Sequence, residues 1–115
     1  MEQCRGLWSL RHGGGIIVYS TVLHGNYLFS GCQFGRIVIW DLDVCCPGGV
    51  GDGDDATAVT VSFSECHGVL TDHSAAISRT KVFKDDLVSS DYDGVVVRRS
   101  LKSAVKDCEK TSSWV

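Results

Sequence analysis

The alternation of apolar runs and turn residues is clearest between residues 27 and 42. The apolar run Tyr27–Phe29 leads to a turn at Gln33–Gly35, and a second, β-branched run, Ile37–Trp40, follows and ends at Asp41. Glycine adopts the positive φ of tight hairpin turns without steric cost. The pattern therefore predicts an antiparallel hairpin of two short strands.

The same pattern recurs 59 residues further along the chain. At this offset Leu28 aligns with Leu87, and Leu42 aligns with Leu101. Without a gap, residues 16–42 match residues 75–101 in their apolar pattern. Self-similarity of this kind is typical of repeat architectures.

The repeat carries residues that identify a family resemblance. Trp40 and Asp41 end the first hairpin, and a histidine stands four residues before the next apolar run in both repeats, at His12 and at His73. A hairpin that ends in Trp-Asp, with a histidine at this spacing, resembles a WD40 repeat, whose fold is the β-propeller. The resemblance covers nearly the whole chain and implies an all-β fold.

By this resemblance, one domain over residues 1–115 contains two WD40-type four-stranded antiparallel blades of a partial β-propeller. The first blade spans about 12–70 and the second about 73–115, and residues 1–11 supply the outer strand of a preceding blade. Strands are expected near residues 4–11, 16–22, 27–31, 37–41, 59–70, 76–83, 87–90, 95–99 and 105–114.

An insertion separates the two repeats. WD40 repeats have roughly 40–45 residues, so an offset of 59 leaves an excess. Residues 44–58, VCCPGGVGDGDDATA, are rich in glycine and aspartate and contain the only proline. That composition is typical of a loop. The pattern predicts no helix, and residues 102–110 have only weakly amphipathic spacing.

WD40 blades typically contain a hydrogen-bonded set of a histidine, a serine or threonine, a turn aspartate and a tryptophan, which satisfies buried polar groups. The resemblance implies that His12, Ser30 and Trp40 belong to this set in the first repeat, with Asp41 completing the Trp-Asp pair. Phe34 stands where the turn aspartate would be.

In the second repeat the same resemblance assigns His73, Ser89 and Asp93 to the set. Arg99 stands where the tryptophan would be. Each repeat therefore lacks one member of the set, and all seven assigned residues are expected to have structural roles.

Composition and charge narrow the class of protein. The chain has 115 residues, 43% of them hydrophobic, and a net charge of −3, which favours one globular domain without nucleic-acid or membrane partners. No Lys or Arg occurs between Ile37 and Ser78, where seven acidic residues lie. This acidic stretch indicates either a solvated loop or a patch for a basic partner.

Six cysteines occur, at positions 4, 32, 45, 46, 66 and 108. Residues 1–11 do not have the pattern of a signal peptide, and the apolar run 16–23 is too short to cross a bilayer. The sequence therefore predicts reduced cysteines and a cytoplasmic location, with the nucleus as an alternative.

The sequence contains fragments of metal-binding and phosphate-binding motifs, but each fragment lacks a residue or a spacing that its motif requires. The Cys45-Cys46 and Cys66-His67 pairs lack the C-x-x-C spacing of zinc sites. The segment 51–55, GDGDD, lacks the further ligands of a calcium loop, and Gly13–Gly15 lacks the lysine of a phosphate-binding loop. Since no nucleophile and base stand at motif spacing either, we expect no metal, no cofactor and no catalytic residue, and the protein is not expected to be an enzyme.

The resemblance also implies where partners bind. In WD40 proteins the loops that enter the inner strand and the hairpin turns gather on one face. The corresponding segments here are residues 11–15, 33–35, 71–74 and 92–94. Arg11, Phe34 and Tyr92 are the expected anchors, because aromatic residues and arginine dominate binding hot spots.

The resulting hypothesis is a non-catalytic protein–protein interaction scaffold that binds a protein or peptide. Propellers close with about four to eight blades, so two blades need further blades from a longer chain or from self-association. The alternative is a self-assembling multi-copy propeller that binds a small ligand or glycan between blades.

Overall fold

The computed structural model describes residues 7–13, 15–45 and 58–109. The strands are β1 (Leu7–Leu10), β2 (Val18–His24), β3 (Tyr27–Cys32), β4 (Ile37–Asp41), β5 (Ala58–Val61), β6 (Gly68–Leu70), β7 (Ile77–Phe83), β8 (Asp86–Asp91) and β9 (Val96–Ser100). The helices are α1 (Leu42–Cys45) and α2 (Leu101–Asp107), and short 3-10 turns occupy Gln33–Gly35 and Phe63–Glu65. The described fold is mostly β, which confirms the predicted all-β class.

The strands form three sheets. The first sheet has four strands in the order β2-β3-β4-β6, and every neighbouring pair is antiparallel. The second sheet has three antiparallel strands in the order β7-β8-β9. Strands β1 and β5 pair in parallel as a separate two-stranded sheet. The strand expected from 4–11 is thus present in part as β1.

The predicted internal repeat is confirmed by the strand registers. Val18 pairs with Cys32 in the first sheet, and Ile77 pairs with Asp91 in the second, 59 residues later on both strands. The irregularity between Val18 and Ser20 also recurs at the same offset, between Ile77 and Arg79. The two sheets therefore have the same local geometry, although their side chains differ.

Strands β3 and β4 of the first sheet are buried on both faces because their side chains alternate between two cores. One face packs on the second sheet and on α2 through Phe29, Ile37, Ile39, Leu70, Ile77, Leu87, Ala104 and Cys108. The other face packs with Val61 of β5 through Cys32, Val38, Trp40 and Val69. This two-sided burial explains why β4 reads as a continuous apolar run rather than an alternating one.

The inner strands of the two larger sheets are joined by polar contacts. The Ser20 hydroxyl on β2 accepts a hydrogen bond from the backbone N–H of Thr80 on β7 at 2.9 Å. It also lies 2.9 Å from the Thr80 hydroxyl. At Gly31 a side chain would collide with Ile77, since an added Cβ would lie 2.4 Å from Ile77 Cγ2. The absence of a side chain at Gly31 therefore permits close contact between the sheets.

The prediction of a last strand over residues 105–114 was wrong for residues 105–107, which belong to α2. The Ser100 hydroxyl caps this helix by accepting a hydrogen bond from the Ser103 N–H at 3.1 Å. Leu101, Ala104 and Val105, at helical spacing, pack into the core between the two sheets. Burial of this short apolar face favours the helix, although the segment as a whole is only weakly amphipathic. Residues 110–114 of the expected strand lie outside the described part of the chain.

The outer strand expected over 59–70 is divided into two strands that belong to different sheets. β5 pairs with β1, and β6 pairs with β4, with the 3-10 turn Phe63–Glu65 between them. Ser62 and Glu65 form a capping box that holds this turn. Most of the predicted insertion, residues 46–57, lies outside the described residues. Among those described, no helix is both long and apolar enough to span a membrane.

Candidate docking surface

Four segments meet at one end of the two larger sheets, which we call the upper surface. They are residues 15–17, the turn 33–35, the loop 71–76 and the turn 92–94. The Gln33 N–H donates to the Ile17 carbonyl at 3.0 Å, and the Tyr92 N–H donates to the Ala76 carbonyl at 3.1 Å. The turns therefore contact the segments that enter β2 and β7, as the resemblance implied.

In the first repeat, His12 and Trp40 are in direct contact. The indole Nε1 of Trp40 donates to Nε2 of His12 at 3.3 Å, and the two rings are arranged edge-to-face. His12 Nδ1 lies 3.2 Å from the Leu10 carbonyl. Burial lowers the pKa of His12, although the Leu10 carbonyl opposes this effect. His12 is thus held in its neutral form, with the hydrogen on Nδ1.

Ser30 lies on the same side of the first sheet but does not complete the set. It is fully buried, and its Oγ has no hydrogen-bond partner among the described residues. Cys32, two residues later, is also fully buried, and burial raises the pKa of its thiol to about 11. The first repeat therefore has a His–Trp pair beside an unsatisfied hydroxyl and a protonated thiol.

In the second repeat, a complete buried triad forms around His73. Its Nε2 lies 2.8 Å from the Ser89 hydroxyl, and its Nδ1 lies 2.9 Å from the carboxylate of Asp91. Sequence reasoning assigned Asp93 to this position, and the structure places Asp91 there instead. Ser89 and Asp91 are two residues apart on one strand, so both side chains point to the His73 side, while Asp93 is exposed in the turn.

The Asp91 carboxylate also organises the turn that follows it. It accepts hydrogen bonds from the N–H groups of Asp93 at 2.8 Å and Val95 at 3.0 Å. Burial raises the pKa of Asp91, but the hydrogen bonds from Val95, His73 and Asp93 outweigh burial, so its pKa is lowered overall. Asp91 therefore stays ionised and fixes the turn that carries Tyr92.

Arg99 replaces the expected tryptophan and makes a different contact. Its guanidinium donates to both carboxylate oxygens of Asp72, with an Nε–Oδ2 distance of 2.8 Å. A bidentate pair of this kind gives a fixed geometry. The pair attaches the loop that precedes His73 to β9.

The remaining assigned residue, Asp41, acts at the opposite, lower end of the first sheet. It accepts a hydrogen bond from the Asn26 side chain at 2.8 Å and another from the Asp43 N–H at 3.1 Å. Asp41 thus joins the β2–β3 turn to the start of α1. It is not part of the His12–Trp40 contact.

The three predicted anchors are all exposed, and two of them, Phe34 and Tyr92, lie in the upper turns, whereas the Arg11 N–H donates to the Val61 carbonyl of β5. Phe34 is 66% exposed and Tyr92 65% exposed, and Arg11 is also exposed. Phe34 has a φ of 65°, a left-handed conformation that glycine adopts readily but that is rare for a bulky residue. The backbone therefore holds a large apolar side chain in solvent at a conformational cost.

Tyr19 is a member of this surface that the sequence reasoning missed. Its ring is 43% exposed and packs edge-to-face on Tyr92, with ring centroids 5.6 Å apart. Since Tyr19 lies on β2 and Tyr92 follows β8, this contact bridges the two sheets. Tyr19 lies where the register of β2 and β3 shifts, between Val18 and Ser20. No motif in the sequence indicates its contact with Tyr92.

The lower end contains a cleft of about 830 Å³ between the two sheets and α2. Its apolar wall includes Tyr27, Leu101 and Val105. Polar side chains of both charges also line it, including Asp85, Asp86, Lys102 and Lys106. Sequence reasoning did not predict this cleft, because it depends on the position of α2.

No group of three or more His, Cys, Asp or Glu side chains capable of holding a metal ion occurs in the described ranges. Among the cysteines whose side chains the structure describes, Cys32, Cys66 and Cys108 form no disulfide bond. Cys4 and Cys46 and the segment 51–55 lie outside the described residues, as do the side chain of Cys45 and the residue Gly14.

Comparison with known proteins shows the fold alone. No protein-family model matches the chain, and no curated protein matches it. The chain is similar to the computationally designed Ika4 protein, with a TM-score of 0.56 and 20% identity over 87% of this chain and 49% of that chain. It is also similar to the computationally designed Ika8 protein, with a TM-score of 0.56 and 19% identity over 83% of this chain and 24% of that chain. This chain therefore spans about half the length of the first designed protein and about a quarter of the second.

Proposed function

We propose that the two larger sheets are blades of a divergent WD40-type partial propeller, and that the upper surface binds a protein or peptide. The matching registers of the sheets and the His12–Trp40 and His73–Ser89–Asp91 contacts support the blade assignment. On this proposal the protein is a non-catalytic interaction scaffold in the cytoplasm or nucleus. Further blades come from a longer chain or from other copies.

One observation carries the docking proposal. Of the nine exposed large hydrophobic side chains among the residues that the structure describes, six lie at or next to the upper turns: Ile17, Val18, Tyr19, Phe34, Tyr92 and Val95. Concentration of exposed apolar area at one site is typical of interaction surfaces. Aromatic side chains contribute large contact areas at such surfaces, and the exposed Arg11 is the third residue assigned to partner binding on this proposal.

The conformation of Phe34 supports the same conclusion. A non-glycine residue in the left-handed region costs about 1–3 kcal/mol, and such residues cluster at functional sites. A polar residue or glycine at this position would be less costly and would not expose apolar area. The exposed phenyl ring is therefore best explained by contact with a partner.

The test compares the whole chain with Phe34→Ala and Tyr92→Ala as immobilised bait in an extract of cells that express it. Phe83→Ala is the matched control, because Phe83 is an exposed aromatic residue away from the upper surface. We expect specific proteins, identified by quantitative mass spectrometry and then purified, to bind the chain and the control but to be lost from both upper-surface variants. Equal binding by all four baits would contradict the proposal.

A second candidate function is binding of a small ligand or glycan in the lower cleft. Its volume of about 830 Å³ is within the usual range of ligand sites, about 300–1,000 Å³. Lys102 and Asp85 offer opposite charges beside an apolar wall. A ligand library should then contain compounds that raise the Tm of the chain but not that of a Val105→Glu variant. Light scattering on the purified chain tests the associated self-assembly, which requires a discrete oligomer.

A further inference from the structure

The two repeats differ at their outer edge. In the first sheet, β6 covers the edge of β4, with Leu70 opposite Ile37 and Gly68 opposite Ile39. The His67 N–H donates to the Ile39 carbonyl at 2.7 Å. At the offset of 59 residues, the counterparts of Ile37 and Ile39 are Val96 and Arg98 on β9.

Strand β9 has no strand in the place that β6 occupies. It is the last strand of the second sheet, and no described residue pairs with its outer edge. The chain instead continues into α2 and reaches β6, where Glu109 and Val69 exchange two backbone hydrogen bonds at 2.8 and 2.9 Å. The outer backbone groups of β9 are therefore available to an added strand.

The side chains at this edge define what such a strand would need. Val96 is 66% exposed, and the Arg98 side chain is 58% exposed. Arg98 Nε donates to Asp86 at 2.6 Å, and the guanidinium lies over the Phe83 ring, 5.5 Å from its centroid. A guanidinium has five N–H donors, so Arg98 can still donate to a second carboxylate. Lys81 on β7 and Arg98 on β9 both pair with Val88 on β8, so the three residues form a row across the sheet with their side chains on the same face.

This row is apolar in the first repeat, where Val22, Phe29 and Ile39 occupy the corresponding positions. Those three side chains pack into the core between the sheets. In the second repeat the row reads Lys81, Val88 and Arg98, so the open face carries two cations beside a valine. Arg98 is the member of this row on the edge strand itself, so a strand added beside β9 meets a cation where the first repeat has Ile39. An acidic side chain at that position of the added strand would be complementary to it.

We propose that β9 binds an extended segment of an acidic partner protein as an antiparallel fourth strand. In the register of β4 and β6, the segment places an acidic side chain opposite Arg98 and, two residues later, an apolar side chain opposite Val96. The recognised pattern is acid–any–apolar. Main-chain hydrogen bonds give affinity, and the two side chains give specificity. This site is separate from the upper surface.

The test uses a capped peptide that spans residues 66–71 with Cys66→Ser and Gly68→Glu, which has the register of β6 and the proposed acid. A peptide with Gly68→Lys is the matched control. Titrated into the ¹⁵N-labelled chain, the Glu peptide should shift the amide resonances of Val96 and Arg98 and bind roughly two- to fivefold more tightly than the Lys peptide. Arg98→Glu loses the contact with Asp86, so hydrogen exchange of the variant must first show that the β8–β9 backbone pairing is retained. In that variant the preference should reverse.

Three results would overturn the proposal. One is the absence of shifts at Val96 and Arg98 with millimolar peptide, and another is equal affinity for both peptides. The third is that those amides of β9 that face away from β8 are already protected from hydrogen exchange in the free chain. Loss of that protection on dilution would identify a second copy as the occupant, and its loss on truncation after Glu109 would identify residues 110–115. The Phe34→Ala variant should bind the Glu peptide normally, which separates this site from the upper surface.

Discussion

Trp40 donates its indole N–H to Nε2 of His12 at 3.3 Å, and this bond requires the neutral imidazole. Tryptophan can only donate, so Nε2 must accept, and the hydrogen of His12 must be on Nδ1, facing the Leu10 carbonyl. A second proton on Nε2 would remove the acceptor. The contact therefore couples the packing of Trp40 to pH.

The first expectation concerns that coupling. Because the pKa of His12 is lowered by burial, the unfolded chain binds the proton first as the pH falls. The stability contribution of neutral His12 is present above about pH 6.5, its ordinary pKa, and is lost as the pH falls through the lowered folded value. We expect the Trp40 indole resonance to titrate with His12 and the free energy of unfolding to decrease by less than about 1 kcal/mol, since His12 is only half-buried. A His12→Gln control should lack this step, and an indole resonance that stays constant while the ring signals of His12 titrate would contradict the assignment.

The second expectation compares two serines at equivalent positions of the repeat. Ser30 Oγ is buried without a partner in the described part of the chain, whereas the Ser89 hydroxyl contacts His73 at 2.8 Å. Ser89→Ala should destabilise the fold by about 1–2 kcal/mol, because it leaves a buried imidazole nitrogen unsatisfied. Ser30→Ala should be neutral or stabilising by up to about 1 kcal/mol. Urea unfolding measures both, and a larger loss from Ser30→Ala would show that its hydroxyl has a partner.

The third expectation distinguishes Asp91 from Asp93. Asp91→Asn weakens the hydrogen bonds from His73, Asp93 and Val95 and should cost about 2–3 kcal/mol. Asp93→Asn, in an exposed turn, should change stability by less than about 0.5 kcal/mol.

The same pair of variants also has a pH signature. The lowered pKa of Asp91 contributes stability above about pH 3.8, its ordinary value, which is lost as the pH falls through the folded pKa. Asp91→Asn should therefore flatten the acid limb of the stability profile, and Asp93→Asn should not. An acid limb that is flattened only by Asp93→Asn would restore the assignment made from the sequence.

The fourth expectation concerns two turn glycines with similar backbones. Gly35 has a φ of 75° and Gly94 a φ of 88°. A Cβ at Gly35 would lie 2.0 Å from the His73 carbonyl oxygen, while no atom lies within 4 Å of a Cβ at Gly94. Gly94→Ala should therefore cost only the left-handed strain, about 1–2 kcal/mol. Gly35→Ala adds a collision with backbone and should cost more, about 3 kcal/mol or above. Equal melting temperatures for the two variants would contradict the close contact at His73.

Much of the candidate site follows from the spacing of residues along the chain. The histidines, serines and Trp40 could be located because each repeat keeps its position relative to the strands. The exposure of Phe34 and Tyr92 followed from their place in hairpin turns. Asp91 was missed because the family pattern was applied to the turn, although the alternation of β8 places Ser89 and Asp91 on one face.

The sequence by itself determined the two hairpins and their offset of 59 residues, because strands that are neighbours along the chain are specified by local alternation and turn glycines. Only the tertiary structure decided that α2 forms where a fourth strand was expected, that β5 pairs with β1, and that no described residue pairs with the outer edge of β9. These features depend on which distant apolar surface a short segment can bury. Leu101, Ala104 and Val105 gain a core only when both sheets are already in place, and no local pattern contains that information.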